Sequence, residues 1–428
     1  MCYCNIIYAA AQHFTNNFLP KFLNKYKMTK KYIVGLRHYN AYFLVGEREH
    51  LNWFTDADYT DDLEKFKADP RPKILMIDCF YPGSDTLGLQ GDYSWVDLVI
   101  AVTSECATGG TLRDTYCDIK TALNNQNIIF VVGAKTVNPP GPGQVDPTRD
   151  YSPLLCWINH VYDCNDYTPS LRPAQKPYQF DCLLGQNRPH RLYLFYKLIE
   201  DNLLDKNLVS MWRHGKHEYY NFTKAELDQQ FNDIFKSDPI IGDLVQKHGI
   251  INFYRSPGLD ELELPDLILP KDDPINYTPA TPTSRYCKAR PEVVLDMGMD
   301  IPVKIFDASW YSIVAETLYE TVFITEKIGK RLMTKRIFVL FAGQGCLKYL
   351  RSQGFQTFDG IIDESYDSEP DHRRRFDMAW EQVKLLNTLD PVEVYQRADS
   401  ILEHNYNLFP TMRNEHLKIR DFIAQWLP

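Results

Sequence analysis

Residues Ile313 to Asp367 read IVAETLYETVFITEKIGKRLMTKRIFVLFAGQGCLKYLRSQGFQTFDGIIDESYD, and their pattern decides the fold class. After its first residue, the run Arg336 to Phe341 is continuously apolar, as expected of a strand buried on both faces. A helical segment starting near Thr325 precedes it; a glycine turn, Gly343-Gln344-Gly345, and a second helical segment follow. Helix, buried strand, turn and helix in that order make one unit of an α/β sheet. The Thr325 hydroxyl is placed to cap the first helix, so Glu326 and Lys327 fall in the first turn, where backbone N–H groups lack intrahelical partners. A positive helix end beside an ammonium suits an anion, most simply a diphosphate. Glu326 has no reason to meet phosphate, but a carboxylate accepts hydrogen bonds from sugar or ribose hydroxyls. One helix start therefore offers a grip on both halves of a nucleotide sugar.

Working back toward the N-terminus, Phe180-Asp181-Cys182-Leu183-Leu184 reads as a buried strand. The turn Gly185-Gln186-Asn187-Arg188-Pro189-His190-Arg191 follows, then a helix through Leu194, Leu198 and Leu203. Two arginines in a turn between strand and helix form a natural anion site, for which Arg188 and Arg191 are both candidates. Asp260 to Pro302, rich in acid and proline, reads as a surface excursion, after which strand-like Val303–Phe306 and Ser312–Ala315 resume the sheet before Glu316. Beyond Asp371 the spacing of Met378, Val383, Leu385, Leu386, Val394 and Ile401 predicts helices.

The first half carries its own strands, predicted at Tyr32–Leu36, Lys73–Asp78, Leu98–Val102 and Ile128–Gly133. Helix-compatible stretches, Asp56–Ala68 and Thr111–Asn124, lie between some of them, which is the pattern of a parallel sheet covered on both faces. In such sheets ligand groups collect on loops at the carboxyl ends of strands, here His38, Asp78, Glu105 and the turn Gly109-Gly110. Prolines crowd residues 137–179 too densely for helix interior, which predicts a connection between two units. The organisation expected is an arm (1–27), a first α/β unit (28–136), the proline-rich passage (137–179), a second α/β unit (180–380) and C-terminal helices (381–428).

At 428 residues the chain is long enough for two such cores. A net charge of −9 disfavours a broad nucleic-acid surface, although the clusters Lys327-Lys330-Arg331-Lys335-Arg336 and Arg373-Arg374-Arg375 keep a local one open. The 10 cysteines are scattered, and with no secretory leader in view they are expected to be free thiols of a cytoplasmic protein. Asn5 to Phe14 is too short and polar to span a membrane. Neither a C-x-x-C pair nor a zinc-like His/Cys cluster occurs, so no metal is expected. Asp56-Ala57-Asp58 has the letters of a metal-holding Asp-x-Asp pair but sits in an acidic run, and reads as a solvated turn or helix start. The glycine turn is not followed by Gly-Lys-Ser/Thr, against a phosphate-loop nucleotidase.

Taken together, VAET (Val314–Thr317), FITEK (Phe323–Lys327), the basic helix, the buried strand and the glycine turn resemble the donor-binding half of fucosyltransferase-like enzymes. With the tail DESYD (Asp363–Asp367) and the Asn-Arg-Pro-His-Arg turn, the stretch is more similar still to glycosyltransferase-like proteins of cyanobacteria, their phages and large viruses. The resemblance covers roughly Phe180 to Trp380 and fades through the first half. It implies a GT-B architecture, two Rossmann-like lobes around a cleft, with terminal helices crossing back to the first lobe. Its implied function is transfer of a sugar from a nucleotide-sugar donor to a glycan or other hydroxyl acceptor, without a required cofactor. By the same resemblance Lys327 and either Arg188 or Arg191 would meet the diphosphate, Glu326 the ribose or sugar, and Glu316 would hold an acidic donor-site position, with Gly343 and Gly345 of the glycine turn also binding the donor. Phe323 stands where fucosyltransferases often carry tyrosine, which leaves nucleotide and sugar open. The resemblance supplies no general base; Glu105 leads, with His38 and Asp78 behind it. A binding protein or inactive scaffold of the same fold is one alternative, and a phage-type enzyme glycosylating nucleic-acid bases is another.

Overall fold

The computed structural model describes residues 31–37, 57–60, 62–78, 92–103, 124–125, 127–132, 134–135, 150–151, 175–185, 188–212, 234–249, 253–262, 301–412 and 421–427. Strands β1 (Tyr32–Arg37), β2 (Ala57–Thr60), β3 (Lys73–Asp78), β4 (Leu98–Thr103) and β5 (Ile128–Val132) are followed by the two-residue strands β6 (Ala134–Lys135) and β7 (Asp150–Tyr151). All but β6 join one sheet in the order β2-β1-β3-β4-β5-β7, and every pairing in it is parallel. Ile33, Val34, Ile74, Leu75, Met76, Ile77 and Leu98 to Ala101 are buried, which is why these strands are apolar runs and not alternating ones. The stretch Asp56–Ala68, expected to be helical, divides into β2 and a short helix α1 (Leu63–Ala68). Asp62 makes the division: its carboxylate accepts from Glu64 N (2.9 Å) and Lys65 N (3.1 Å), so the helix starts there and the residues before it are left to pair with β1. Asp58 lies in β2 and pairs with Arg71 (2.6 Å), so Ala57-Asp58 opens an edge strand, not a turn or helix, while Asp56 lies outside the described residues.

The second sheet is built from β8 (Tyr178–Leu184), β9 (Leu208–Trp212), β10 (Phe253–Arg255), β11 (Ser309–Ala315) and, later in the chain, the strand Phe338–Phe341. Between them run helices α2 (Pro189–Glu200), α3 (Gly242–His248), α4 (Pro257–Glu261) and α5 (Val303–Ala308). The chain continues through the short strand β12 (Val322–Phe323), α6 (Glu326–Met333), β13 (Phe338–Phe341), α7 (Cys346–Ser352), α8 (His372–Thr388) and α9 (Pro391–Leu408). The order is β10-β9-β8-β11-β13, parallel except for β10 against β9. From β8 the chain moves outward to β9 on one side and later returns to β11 on the other, so the order reverses between β8 and β11. Val303–Phe306, expected as a strand, is the helix α5. Pro302 needs no N–H at a helix start, and Ile305, Phe306 and Ala308 turn one face inward, a pattern that four residues cannot distinguish from a strand.

The two sheets meet through residues 318–324. β12 pairs antiparallel with β6, Val322 opposite Lys135 and Phe323 opposite Ala134. Leu318 and Phe323 belong to the core of the first sheet, while Val322 and Ile324 belong to the core of the second. Residues 421–424 are helical, and Ile423 is buried in the first sheet's core with Phe422, Trp426 and Leu427 packed against it. The molecule is thus a mixed α/β protein with one all-parallel and one mostly parallel sheet.

Candidate functional site

A reversal of strand order leaves a crevice at the carboxyl ends of the two flanking strands, here β8 and β11. The residues that follow these strands converge there. Pro189 opens α2 at a position where no N–H is required, and it sets Arg188 just before the helix with His190 and Arg191 in its first turn. Glu316 follows β11 and is held in register by its N–H on Phe341 O (3.0 Å). Its carbonyl receives His190 Nε2 (2.6 Å) and an Arg191 guanidinium N–H (3.3 Å), and the next carbonyl, that of Thr317, receives Arg188. Two arginines and an imidazole thereby fasten on one dipeptide.

The start of α6 completes the cluster. Thr325 caps the helix, its Oγ1 accepting from Lys327 N (3.3 Å), as the sequence predicts. The same hydroxyl donates to Glu316 Oε2 (2.6 Å), and the Thr325 N–H donates to Glu316 Oε1 (3.0 Å). With Thr317 N also on Oε2 (3.1 Å), the Glu316 carboxylate is spanned by chain donors and wholly buried. Burial pushes the Glu316 carboxyl above its usual range, with the nearby Glu326 charge acting in the same direction against the pull of Lys327 and Thr325. The Lys327 ammonium reaches Thr317 Oγ1 (2.9 Å), Thr325 Oγ1 (3.2 Å) and Glu326 Oε1 (3.0 Å). At Glu326 burial again favours the neutral acid, but the charges of Lys327 and Lys330 outweigh it and hold the carboxyl below its usual range. Lys327 and Glu326 keep 25% and 15% of their side-chain surface open, so this ion pair borders solvent where Glu316 does not.

Arg188, Arg191, Glu316, Glu326 and Lys327 are therefore brought together. The glycine turn follows β13 and packs against residues 321 and 322. A Cβ on Gly343 would overlap the carbonyl oxygen of Thr321, and Gly345 takes the left-handed conformation, φ 82°. Asp367, from the DESYD tail, receives Gly345 N on its carbonyl (2.8 Å) and Leu347 N (2.9 Å) and Lys348 N (2.8 Å) on its carboxylate. The amides at the start of α7 thus already face an anion of the chain itself. In the same tail Glu364 accepts from Phe358 N (2.8 Å), Arg351 (2.8 Å) and Thr357 Oγ1.

Among the base candidates, Asp78 ends β3 with its backbone paired to Val102, its side chain lying outside the described parts; Glu105, His38 and the Gly109-Gly110 turn lie outside the described residues. The basic clusters that left a nucleic-acid surface open are largely internal. Lys330, Arg331 and Arg336 are buried, the two arginines on Asp181. Arg375 is buried on the carbonyls of Ala342, Glu369 and Tyr319. Cys182 and Cys346 are free thiols whose burial pushes their pKa up. Among the described residues, no group of His, Cys, Asp and Glu is arranged to hold a metal ion, and no helix is long and apolar enough to cross a membrane.

Three members of the cluster went unassigned in the sequence: His190, Thr317 and the bond from Thr325 to Glu316. The partners of His190 and of the Thr317 carbonyl lie 126 and 129 positions away, and spacing carries no signal for such contacts; Thr325 and Glu316 are only 9 apart, but their bond joins a strand end to a helix cap across an irregular turn. Comparison with protein-family models, curated proteins and solved structures gives no match.

Proposed function

We propose that the protein is a glycosyltransferase of the GT-B type that moves a sugar from a nucleotide-sugar donor to an acceptor hydroxyl, with inversion and without a required metal. The observation that carries this reading is the convergence of Arg188, Arg191 and Lys327 on the Glu316–Thr317 dipeptide at the switch point between β8 and β11. Three cations at the carboxyl ends of parallel strands suit the diphosphate of a donor, whose negative charge grows as the bond to the sugar breaks. Glu326, ionised and bordering solvent, is placed to accept from ribose or sugar hydroxyls. Glu316, buried beneath, holds the cap of α6 in place. In the reaction the acceptor oxygen attacks the anomeric carbon, the diphosphate leaves with the bonding electron pair, and a base from the first sheet's carboxyl-end loops takes the hydroxyl proton. Glu105 leads for that role, ahead of His38 and Asp78.

Calorimetry with uridine, guanosine, thymidine and cytidine nucleotide sugars, with and without chelator, tests the donor site. Wild type should bind at least one of them, and Lys327→Ala should bind it more weakly; equal affinity in the variant removes Lys327 from the site. For the base, Glu105→Gln should slow transfer by about 10²–10⁴-fold while donor affinity stays near wild type. Normal turnover in that variant shifts the assignment to His38. A donor that binds and is neither transferred nor hydrolysed would mark a binding protein of the same fold.

A further inference from the structure

His190 is a buried titratable group to which the reaction above gives no task. It is fully buried at the second position of α2, its ring 5.0 Å from that of Tyr319 and 6.3 Å from that of Phe376. Its Nε2 lies 2.6 Å from the Glu316 carbonyl oxygen, and because a carbonyl only accepts, Nε2 must carry a hydrogen. Nδ1 has no hydrogen-bond partner among the described residues. A second N–H there would be a stranded buried donor on a cationic ring beside Arg188, Arg191 and Lys327. Burial first, and these cations after it, hold the imidazole well below its ordinary pKa, so the ring is neutral and Nδ1 is bare. A phenylalanine would fill the same space between Tyr319 and Phe376 without orphaning a nitrogen. What the imidazole adds is the one N–H aimed at Glu316.

We infer that His190 is a positioning residue of the donor site, its Nε2–H fixing with Arg191 the Glu316 carbonyl and hence the Glu316–Thr317 dipeptide on which Arg188 and Lys327 converge. The inference rests on the donor-site reading above and names a device within it. Arg188 is oriented by the Thr317 carbonyl and Lys327 by the Thr317 hydroxyl, so both cations take their places from a dipeptide whose other end His190 holds. A swing of that peptide moves two phosphate contacts at once.

The test separates the N–H from the ring. His190→Phe keeps an aromatic ring and loses the donor; His190→Gln loses the ring and returns an N–H near the place of Nε2. Affinity for UDP and GDP is measured by calorimetry, with thermal melts to establish that each variant is folded. His190→Phe should weaken binding about tenfold, the share of one ordinary hydrogen bond, and His190→Gln should recover to within about threefold of wild type. Should His190→Phe not fold, the imidazole ¹⁵N resonances of wild type decide: Nε2 protonated and Nδ1 bare supports the inference, and the opposite tautomer or an imidazolium overturns it. Wild-type affinity in His190→Phe, or equal losses in both variants, overturns this inference alone. A wild type that binds neither nucleotide nor any of the nucleotide sugars overturns the donor-site reading and this inference with it.

Discussion

Two clusters of charged residues sit at different heights of the second sheet, and they are built differently. Toward the amino ends of the strands, the Asp181 carboxylate takes Arg331 and Arg336 together with the hydroxyls of Ser309 (3.1 Å) and Ser312 (2.8 Å). Arg336 spreads its remaining N–H groups over the carbonyls of Phe306, Ser309 and Tyr311. Both guanidiniums also lie over the Phe306 ring, and the group is closed to solvent. At the carboxyl ends, Arg188, Arg191 and Lys327 are oriented by carbonyls and hydroxyls, and Lys327 and Glu326 border solvent. Buried charge is therefore no mark of function by itself. The group closed to solvent stabilises the sheet, even with Arg331 Nε lacking a hydrogen-bond partner among the described residues; the one that borders solvent is the candidate for a ligand.

The widest gap between the clusters should appear in stability. Asp181→Ala strands two buried guanidiniums and is expected to cost roughly 3–5 kcal/mol in urea denaturation, the range for removing one partner of a buried ion network. A loss below about 1 kcal/mol would erase the contrast. Lys327→Ala should do the reverse: its stability stays near wild type while donor affinity drops about 10–100-fold, the range for hydrogen bonds to a charged group. Equal damage to stability would place Lys327 with the closed cluster.

A smaller effect is read from pH. The unfolded chain protonates His190 near the ordinary imidazole value, about 6.5, whereas the folded chain does so only well below it. Over that window the unfolded state binds more protons, so stability falls as pH falls, by up to about 1.4 kcal/mol per pH unit from this group. Glu316, Glu364 and Asp367 have raised values and act with the opposite sign in acid, so the difference between wild type and His190→Gln isolates the imidazole. Parallel stability curves for the two would mean that His190 is not held neutral. The smallest change belongs to neither cluster. Glu403→Gln breaks the rim pair with Lys335, and with Glu403 46% exposed it should cost roughly 0.2–1 kcal/mol and fade with salt.

How much of this could be read from the sequence follows the range of the interaction. Lys73–Asp78 was legible residue for residue, and Leu98–Thr103 to within one residue, because a strand covered on both faces writes itself as an apolar run. Thr325 as the cap of Glu326 and Lys327 was legible because its partner is two residues away. The strand β2 was not, since only pairing with β1 makes Ala57–Thr60 a strand, and α5 was not, since four residues fit either period. The basic run through Arg331 and Arg336 looked like surface because its partner, Asp181, lies 150 and 155 residues earlier. The anion facing α7 was hidden in the same way, 20 residues downstream in Asp367.

The segment between Thr317 and Thr325 carries one further consequence, a mechanical one. Leu318 and Phe323 root it in one core, Val322 and Ile324 in the other, and the pairing of β12 with β6 stitches it across. At its two ends stand the residues gripped by Arg188 and Lys327. Tension that drew the two sheets apart would load this short tether along its length and reach the Glu316–Thr317 dipeptide before it strained the middle of either sheet. By thermodynamic reciprocity, an anion that stiffens the dipeptide makes the tether harder to pull, and a slack tether makes the anion easier to lose.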